Sequence, residues 1–375
     1  MILTSETRSK AFVAAGLWGE DTLDAAFRRH AAERPDDLAI ADGDTGPVPG
    51  AAASYSYAEA NRRVEGLAAF LAGLGLKPDT VLGIHLPNVA EAQIVVLAAL
   101  RAGLVIVPLP LHWTDREITR AVEQAGIRAI VTASRVERAV TGERIRDIAA
   151  EAFSIRFVLG FGDGLADGLI DLAEVMAELD ALGPAPELTR RGNPADHVAM
   201  VSFSRRDGRL VAVPLTHNHL LAIGRFHAEA AGVGPGARIA SAMMPAGLSG
   251  LGAGLATAIA AGAGLVALHG TGARQIAGAV RTQGAAHLVV PAPLGPILAG
   301  DLTGHGVTLS LVSPRSSADP VAPTGFADDD VVVDVATFGG ITLLPVRRVG
   351  GQRPPGPWLR RRVARCPSRS GSGRG

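Results

Sequence analysis

The chain has 375 residues, with 36 Lys plus Arg against 36 Asp plus Glu, and a sequence pI near 7.2. Net neutrality supplies no whole-protein pull toward nucleic acid or acidic membranes, and an aromatic content of 4% offers little for stacking bases. The single cysteine, Cys366, excludes an intrachain disulfide framework and a Cys-based zinc cluster, while 47% apolar residues suffice for a large core in two or three domains.

Residues 1–20 lack a long apolar run, so no signal peptide is expected and a cytoplasmic location follows. Residues 22–34 read as an amphipathic helix capped by Thr22 and stopped by Pro35, with Leu23, Ala26, Phe27 and His30 on one face. A strand at 39–43 runs into a Gly/Pro loop through Gly50. Ser56 and Glu59 have capping-box spacing, and the helix they open stops at Gly73 and Gly75. A strand at 80–86, a helix ending at Gly103, an apolar strand at 104–111, a helix capped by Thr114 and the strand IRAIVTAS continue the alternation. The polar, Pro- and Gly-containing segment 177–197 reads as a linker. The pattern resumes with VAMVSFS and runs to VVVDVATFGG at 331–340.

The uncharged run Ile239–Ala273 is too rich in Gly and Ala for a membrane span and reads as a buried helix plus strand. From about residue 346 the chain carries many arginines, no acid and no apolar period, so 346–375 is expected to be a disordered basic tail. Its composition is what out-of-frame translation of GC-rich DNA would yield. Strands that are apolar throughout, alternating with helices, predict an α/β fold. The expected plan is two layered β/α subdomains with parallel-rich sheets flanked by helices, at 1–190 and 191–345.

The order of these segments resembles the large N-terminal domain of the adenylate-forming ligases, the AMP-dependent synthetases that include acyl-CoA synthetases. The likeness runs through TLDAAFRRHAAERPDDLAIAD and the stretch from SYSYAEANRR to IRAIVTAS, then THNHLLA at 216–222, AHLVVPAPLGPIL at 286–298 and VDVATFGG at 333–340. The resemblance implies ATP-dependent activation of a carboxylic acid to acyl-AMP or acyl-CoA. It implies ATP or AMP and Mg²⁺ as ligands, coenzyme A as a thiol acceptor and a small-molecule carboxylate as partner, in a cleft between the subdomains.

Aligned on that family, FSRRDGRLVA (203–212) falls on its glycine-rich phosphate loop. Ser204 and Gly208 match, whereas Arg205 stands where the first Gly belongs, Arg206 and Asp207 replace two threonines, and Val211 replaces the Lys. A side chain in place of Gly blocks close backbone approach to phosphate. Arg205, Arg206 and Arg209 can still pair with phosphate as guanidinium forks. Two readings stand, an altered anion site and a solvated β-turn on Asp207-Gly208. Thr216 closes the segment. Phe338-Gly339-Gly340-Ile341-Thr342 falls on Tyr-Gly-x-Thr-Glu, so Phe338 and Gly339 are candidates for the adenine side and Thr342 stands where a magnesium-ligating Glu belongs. PAGL at 245–248 replaces Pro-x-Phe-His, and SPRSSADP at 313–320 replaces Gly-Gly-Ala. The family's ribose-binding Asp, hinge and C-terminal domain with its catalytic Lys have no counterpart in the sequence.

Little or no adenylation is therefore expected. One rival is a pseudoenzyme or scaffold holding a nucleotide or acyl ligand. Another is a ligase completed by a second chain. His217 and His219, at i and i+2, suggest hydrogen bonding at a helix start rather than a metal site. GLSGLGAGL (247–255) lacks a dinucleotide-loop register and suggests close helix packing, and Ser202 and Ser204 lack a nucleophile elbow.

Overall fold

The computed structural model describes residues 1–43, 53–179, 182–270, 272–302, 304–314 and 326–349. Helices α1 (Glu6–Ala14) and α2 (Leu23–Glu33) lead into β1 (Leu38–Asp42), β2 (Ser54–Ser56) and α3 (Tyr57–Gly73). Then β3 (Val81–His85), α4 (Ala90–Arg101), β4 (Val105–Pro108), α5 (Asp115–Ala125), β5 (Ile127–Ala133), α6 (Thr141–Glu151) and β6 (Phe157–Phe161) alternate, followed by β7 (Ile170–Asp171) and α7 (Leu172–Ala177). Next come β8 (Val198–Arg206), β9 (Arg209–Thr216), α8 (His217–Ala231), β10 (Arg238–Ser241), α9 (Leu248–Leu251) and α10 (Thr257–Ala261). The chain continues through β11 (Gly264–Ala267), α11 (Ala273–Thr282), β12 (His287–Pro291), α12 (Gly295–Leu302), β13 (Thr308–Pro314), β14 (Val331–Phe338) and β15 (Thr342–Val349).

Local signals start these helices where the sequence places them. Thr22 accepts from the Ala25 N–H at 3.0 Å, and Ser56–Glu59, Thr114–Glu117 and Thr216–His219 each form a reciprocal capping box. Strands β3, β4 and β5 are buried on both faces, as apolar parallel strands must be. They form the interior of a seven-stranded sheet ordered β7-β6-β5-β3-β4-β8-β9, parallel except for the β8–β9 hairpin. An eight-stranded sheet, β15-β14-β13-β12-β10-β11-β1-β2, is parallel inside and closed by antiparallel pairs at both ends. The expected α/β plan of two parallel-rich sheets flanked by helices is met.

Sheet membership crosses residue 190 in both directions: β1 and β2 join the second sheet, whereas β8 and β9 complete the first. Asn88, in the β3–α4 loop, stitches the sheets together by donating to the carbonyls of Ser241 and Leu268 at 2.7 and 3.0 Å. Residues 182–193 carry no helix or strand, yet they are tied down, with the Ala185 N–H on Glu65 and Arg190 on Asp79 and the Gly103 carbonyl.

The uncharged run from Ile239 forms β10, α9, α10 and β11, with a π turn at Gly252–Ala256 between the helices, all packed in the core. Gly224 of α8 faces that turn so closely that a Cβ would overlap the Ala256 carbonyl. No helix among the described residues is long and apolar enough to cross a membrane.

One expectation needs correcting. The pattern does not fail at 346: β15 continues to Val349, and Arg348 is buried against Asp334 of β14, Nε to Oδ2 at 2.7 Å. An arginine paired on a neighbouring strand supports a strand that its composition conceals. The rest of the proposed tail, including Cys366, lies outside the described residues.

Candidate functional site

Carboxyl ends of parallel strands leave backbone and loops free to form a crevice. Here β4, β8 and β10 end against the turn of the β14–β15 hairpin, around a cleft of about 230 Å³. Its walls come from separate segments. Pro108, Pro110 and Trp113 follow β4; Ser202, Phe203, Arg205 and Leu210 belong to the β8–β9 hairpin. Ala246–Ser249 follow β10, and Thr337, Gly340, Thr342 and Leu343 belong to β14–β15. A larger hollow of about 770 Å³ lies between α5 and α6, away from these strand ends and lined mostly by charged surface side chains.

The proposed phosphate loop is a β-hairpin. Strands β8 and β9 pair from Val198↔Thr216 to Arg206↔Arg209, and the turn residues Asp207 and Gly208 both have left-handed backbones, φ 50° and 73°. Asp-Gly is the sequence such a tight turn prefers. Of the two readings of 203–212, the backbone is that of the turn.

Alternation along β8 sorts its side chains. Phe203 turns toward α5 and meets Trp113 edge-on, ring centroids 5.5 Å apart. Arg205 forms an ion pair with Glu117 of α5. Ser202 and Ser204 face the other hairpin, where Gly339 and Gly340 turn the chain with φ 52° and 67°. A Cβ on Gly340 would lie 2.9 Å from Ser202 Oγ and 3.0 Å from the Phe203 carbonyl, and one on Gly339 would lie 2.9 Å from Ser204 Oγ. The two glycines thus permit the turn to rest on β8.

Of the predicted site residues, Arg205 alone lines the cleft; Ser204 and Gly339 meet each other on the opposite face of β8, next to the lining residues Phe203 and Gly340, and Phe338 ends β14 beside them in sequence. Arg206 and Arg209 face each other across the exposed hairpin end and form no ion pair among the described residues. Gly208 serves the turn. Thr216 does not join the group: it is fully buried, and its Oγ1 caps α8. His219 completes that cap, and His217 Nδ1 accepts from the Leu23 N–H at 3.2 Å, so both act at a helix start. GLSGLGAGL lines the cleft with Gly247–Ser249 and continues behind it as a buried helical stretch. Trp113, Pro108, Pro110 and Glu117 carry no ligand-binding motif that marks them in the sequence. The prolines closing the apolar strand at 104–111 were the available signal.

Electrostatically the cleft is one-sided. No Asp or Glu lines it, and Thr342 occupies the position expected for a metal-binding carboxylate. No group of three or more His, Cys, Asp or Glu suited to a metal exists among the described residues. The residues present do not fit Mg²⁺. Glu117 lies behind Arg205, and its pKa is held down to about 2 by the Thr114 N–H, then by Arg205 and the Thr114 hydroxyl.

Two parallel-rich sheets with a cleft at their carboxyl edges, walled by two hairpin turns, define an α/β ligand-binding domain. A family model for AMP-binding enzymes matches residues 27–305, and the chain belongs to that family, the adenylate-forming ligases. It is 28% identical over 218 residues to a salicyl-AMP ligase / salicyl-S-ArCP synthetase of Mycobacterium tuberculosis, covering 56% of this chain and 36% of that protein. It is 26% identical over 226 residues to a medium-chain fatty-acid–CoA ligase of Escherichia coli, covering 60% of this chain and 38% of that one. The chain thus spans less than two-fifths of either curated relative. The apo structure of Mycobacterium smegmatis MbtA superposes with a TM-score of 0.72 at 25% identity, over 83% of this chain and 56% of that one.

Proposed function

We propose that the cleft binds the phosphate-bearing part of a nucleotide or acyl-adenylate beside a carboxylic acid, and that turnover in this chain is low. The reaction would be that of the family: a carboxylate oxygen attacks the α-phosphorus of ATP, pyrophosphate leaves, and acyl-AMP passes its acyl group to a thiol such as coenzyme A. The observation that carries the reading is that Phe203, Arg205, Leu210, Ala246, Gly247, Leu248, Gly340 and Thr342 line one cleft, since they fall in the segments 203–212, 245–248 and 338–342 aligned with the family's ligand motifs. Arg205 supplies charge for phosphate, with Arg206 and Arg209 further along the same hairpin at its exposed end. Trp113, Phe203, Pro108 and Leu248 supply an apolar wall for the acyl or aryl part. Salicylate and medium-chain fatty acids, named for two relatives, are the acids to try first. A cytoplasmic setting suits a reaction that draws on coenzyme A.

Low turnover follows from three substitutions. Arg205 stands where Gly would let backbone N–H groups reach phosphate, Asp207 adds a negative charge beside it, and no carboxylate stands ready for magnesium. The hairpin's paired ladder also favours the second reading, a non-catalytic ligand-binding protein, because a strand cannot fold over a phosphate as a loop does. Calorimetric titration with ATP, and hydroxamate trapping with salicylate or octanoate, separate the outcomes. Saturable ATP binding with hydroxamate near background is expected. Absence of ATP binding overturns the proposal, and rapid hydroxamate formation overturns the low turnover.

A further inference from the structure

Arg205 enters the cleft with its guanidinium already engaged. Glu117 Oε1 accepts from Nη2, while Oε2 of the same carboxylate accepts from the Thr114 N–H at 2.9 Å and from Thr114 Oγ1 at 3.0 Å. One carboxylate oxygen is thus fixed by the α5 capping box and the other is presented to the arginine. The ion pair is lopsided in access: the Arg205 side chain is 57% exposed and that of Glu117 20%. Solvent-borne ligands reach the guanidinium more easily than they reach the acid. Glu117 occupies one donor of a fork that can bind an oxyanion through two.

We infer that Glu117 is a built-in stand-in for the ligand's anionic group, and that an oxyanion ligand enters the cleft by taking Arg205 away from it. The inference rests on the reading of the cleft as an anion-binding site. The chemistry shared by the candidate ligands is a carboxylate or phosphate oxygen presented to a guanidinium. A phosphate brings more charge and more acceptor oxygens than the single oxygen it displaces, so it competes better than a carboxylate. Its capping bonds and Arg205 hold the Glu117 pKa down to about 2, so the carboxylate is ionised at neutral pH. The exchange is therefore driven by ligand, and Glu117 sets the concentration at which the site fills.

The test uses the full chain and nucleotide-free probes, pyrophosphate in one calorimetric titration and benzoate in another. Glu117→Gln removes the charge yet keeps the capping box, since Gln serves at that position. Pyrophosphate should bind Glu117→Gln about two- to fivefold more tightly than the parent, the range expected for releasing a partly exposed ion pair. The gain should vanish in Glu117→Gln/Arg205→Met, whose affinity should equal that of Arg205→Met. Glu117→Asp, too short to span to Arg205, should gain in the same direction and provides a second variant if the first melts early. A gain with pyrophosphate alone assigns Arg205 to phosphate, and a gain with benzoate alone assigns it to the acid. Equal or weaker binding of both probes by Glu117→Gln, or a gain that survives loss of Arg205, overturns the inference. A pyrophosphate gain without ATP binding by the parent would refute the proposed function and leave the exchange intact. ATP binding by the parent, with ATP and benzoate both bound identically by Glu117→Gln, would overturn the exchange alone.

Discussion

Replacing Arg101 with Met should destabilise the domain by about 3 kcal/mol, at the lower edge of the range for breaking a buried pair. Arg101, 6% exposed, leaves α4 and ties it to two other helices. Nε donates to Asp24 Oδ1 of α2 at 2.9 Å, Nη1 to Glu65 Oε2 of α3 at 2.8 Å, and Nη2 to Asn61 Oδ1 at 2.7 Å. Methionine replaces the aliphatic stem but leaves Asp24, whose side chain is 5% exposed, with Arg28 Nε at 3.1 Å as its ion-pair partner among the described residues, and Arg28 is itself 59% exposed. That remaining partner is why the lower edge applies. Urea unfolding followed by tryptophan fluorescence measures the loss. Asp24→Leu combined with Arg101→Met should recover most of it, because a buried ion pair is close to neutral against an apolar replacement. A loss under about 1 kcal/mol, or a double variant no better than the single, would refute the assignment of the network as a buried clamp.

Acid should weaken the fold in a defined window. Burial above all pushes His85 and His227 down to about 4 and His217 to about 3. Each takes up a proton near pH 6.5 when unfolded but resists it when folded, so stability is full above about pH 6.5 and falls as pH drops toward 4. His227 bridges Thr257 and Ser310, and His227→Gln should lower the slope of unfolding free energy against pH by up to one proton; an unchanged slope counts against this account. Gly340→Ala should cost roughly 1–3 kcal/mol, since it strains the turn and pushes it off Ser202. Gly208→Ala, with φ 73° but open space around it, carries only the strain, so thermal melts showing equal losses would contradict the close approach at Gly340.

Much of the fold was legible because its signals are local. Ser56 with Glu59 and Thr114 ahead of a periodic run announce their helices, and the apolar strands announce burial on both faces. What was not legible depends on distant partners. Helix α1 has almost no amphipathic pattern and is anchored by Ser9 on Asp196. Strand β15 carries a buried arginine, Arg348, that makes sense only beside Asp334. At the site, Asp207-Gly208 was open to two meanings; the hairpin ladder settles the backbone, and the ion pair with Glu117, 88 positions away, cannot be read from spacing.

The exchange of strands between the sheets has a temporal meaning. Ile40 of β1 pairs in parallel with Leu265 of β11, a separation of about 225 residues. At roughly 5–20 residues per second of synthesis, the first strand waits on the order of 10–45 s for its neighbour. During that interval its edge is unpaired, a template for other chains. The seven-stranded sheet, β3 to β9, is complete in sequence by Thr216, whereas the eight-stranded sheet is not, so a ribosome that stalls before β11 leaves β1 and β2 for chaperones to hold.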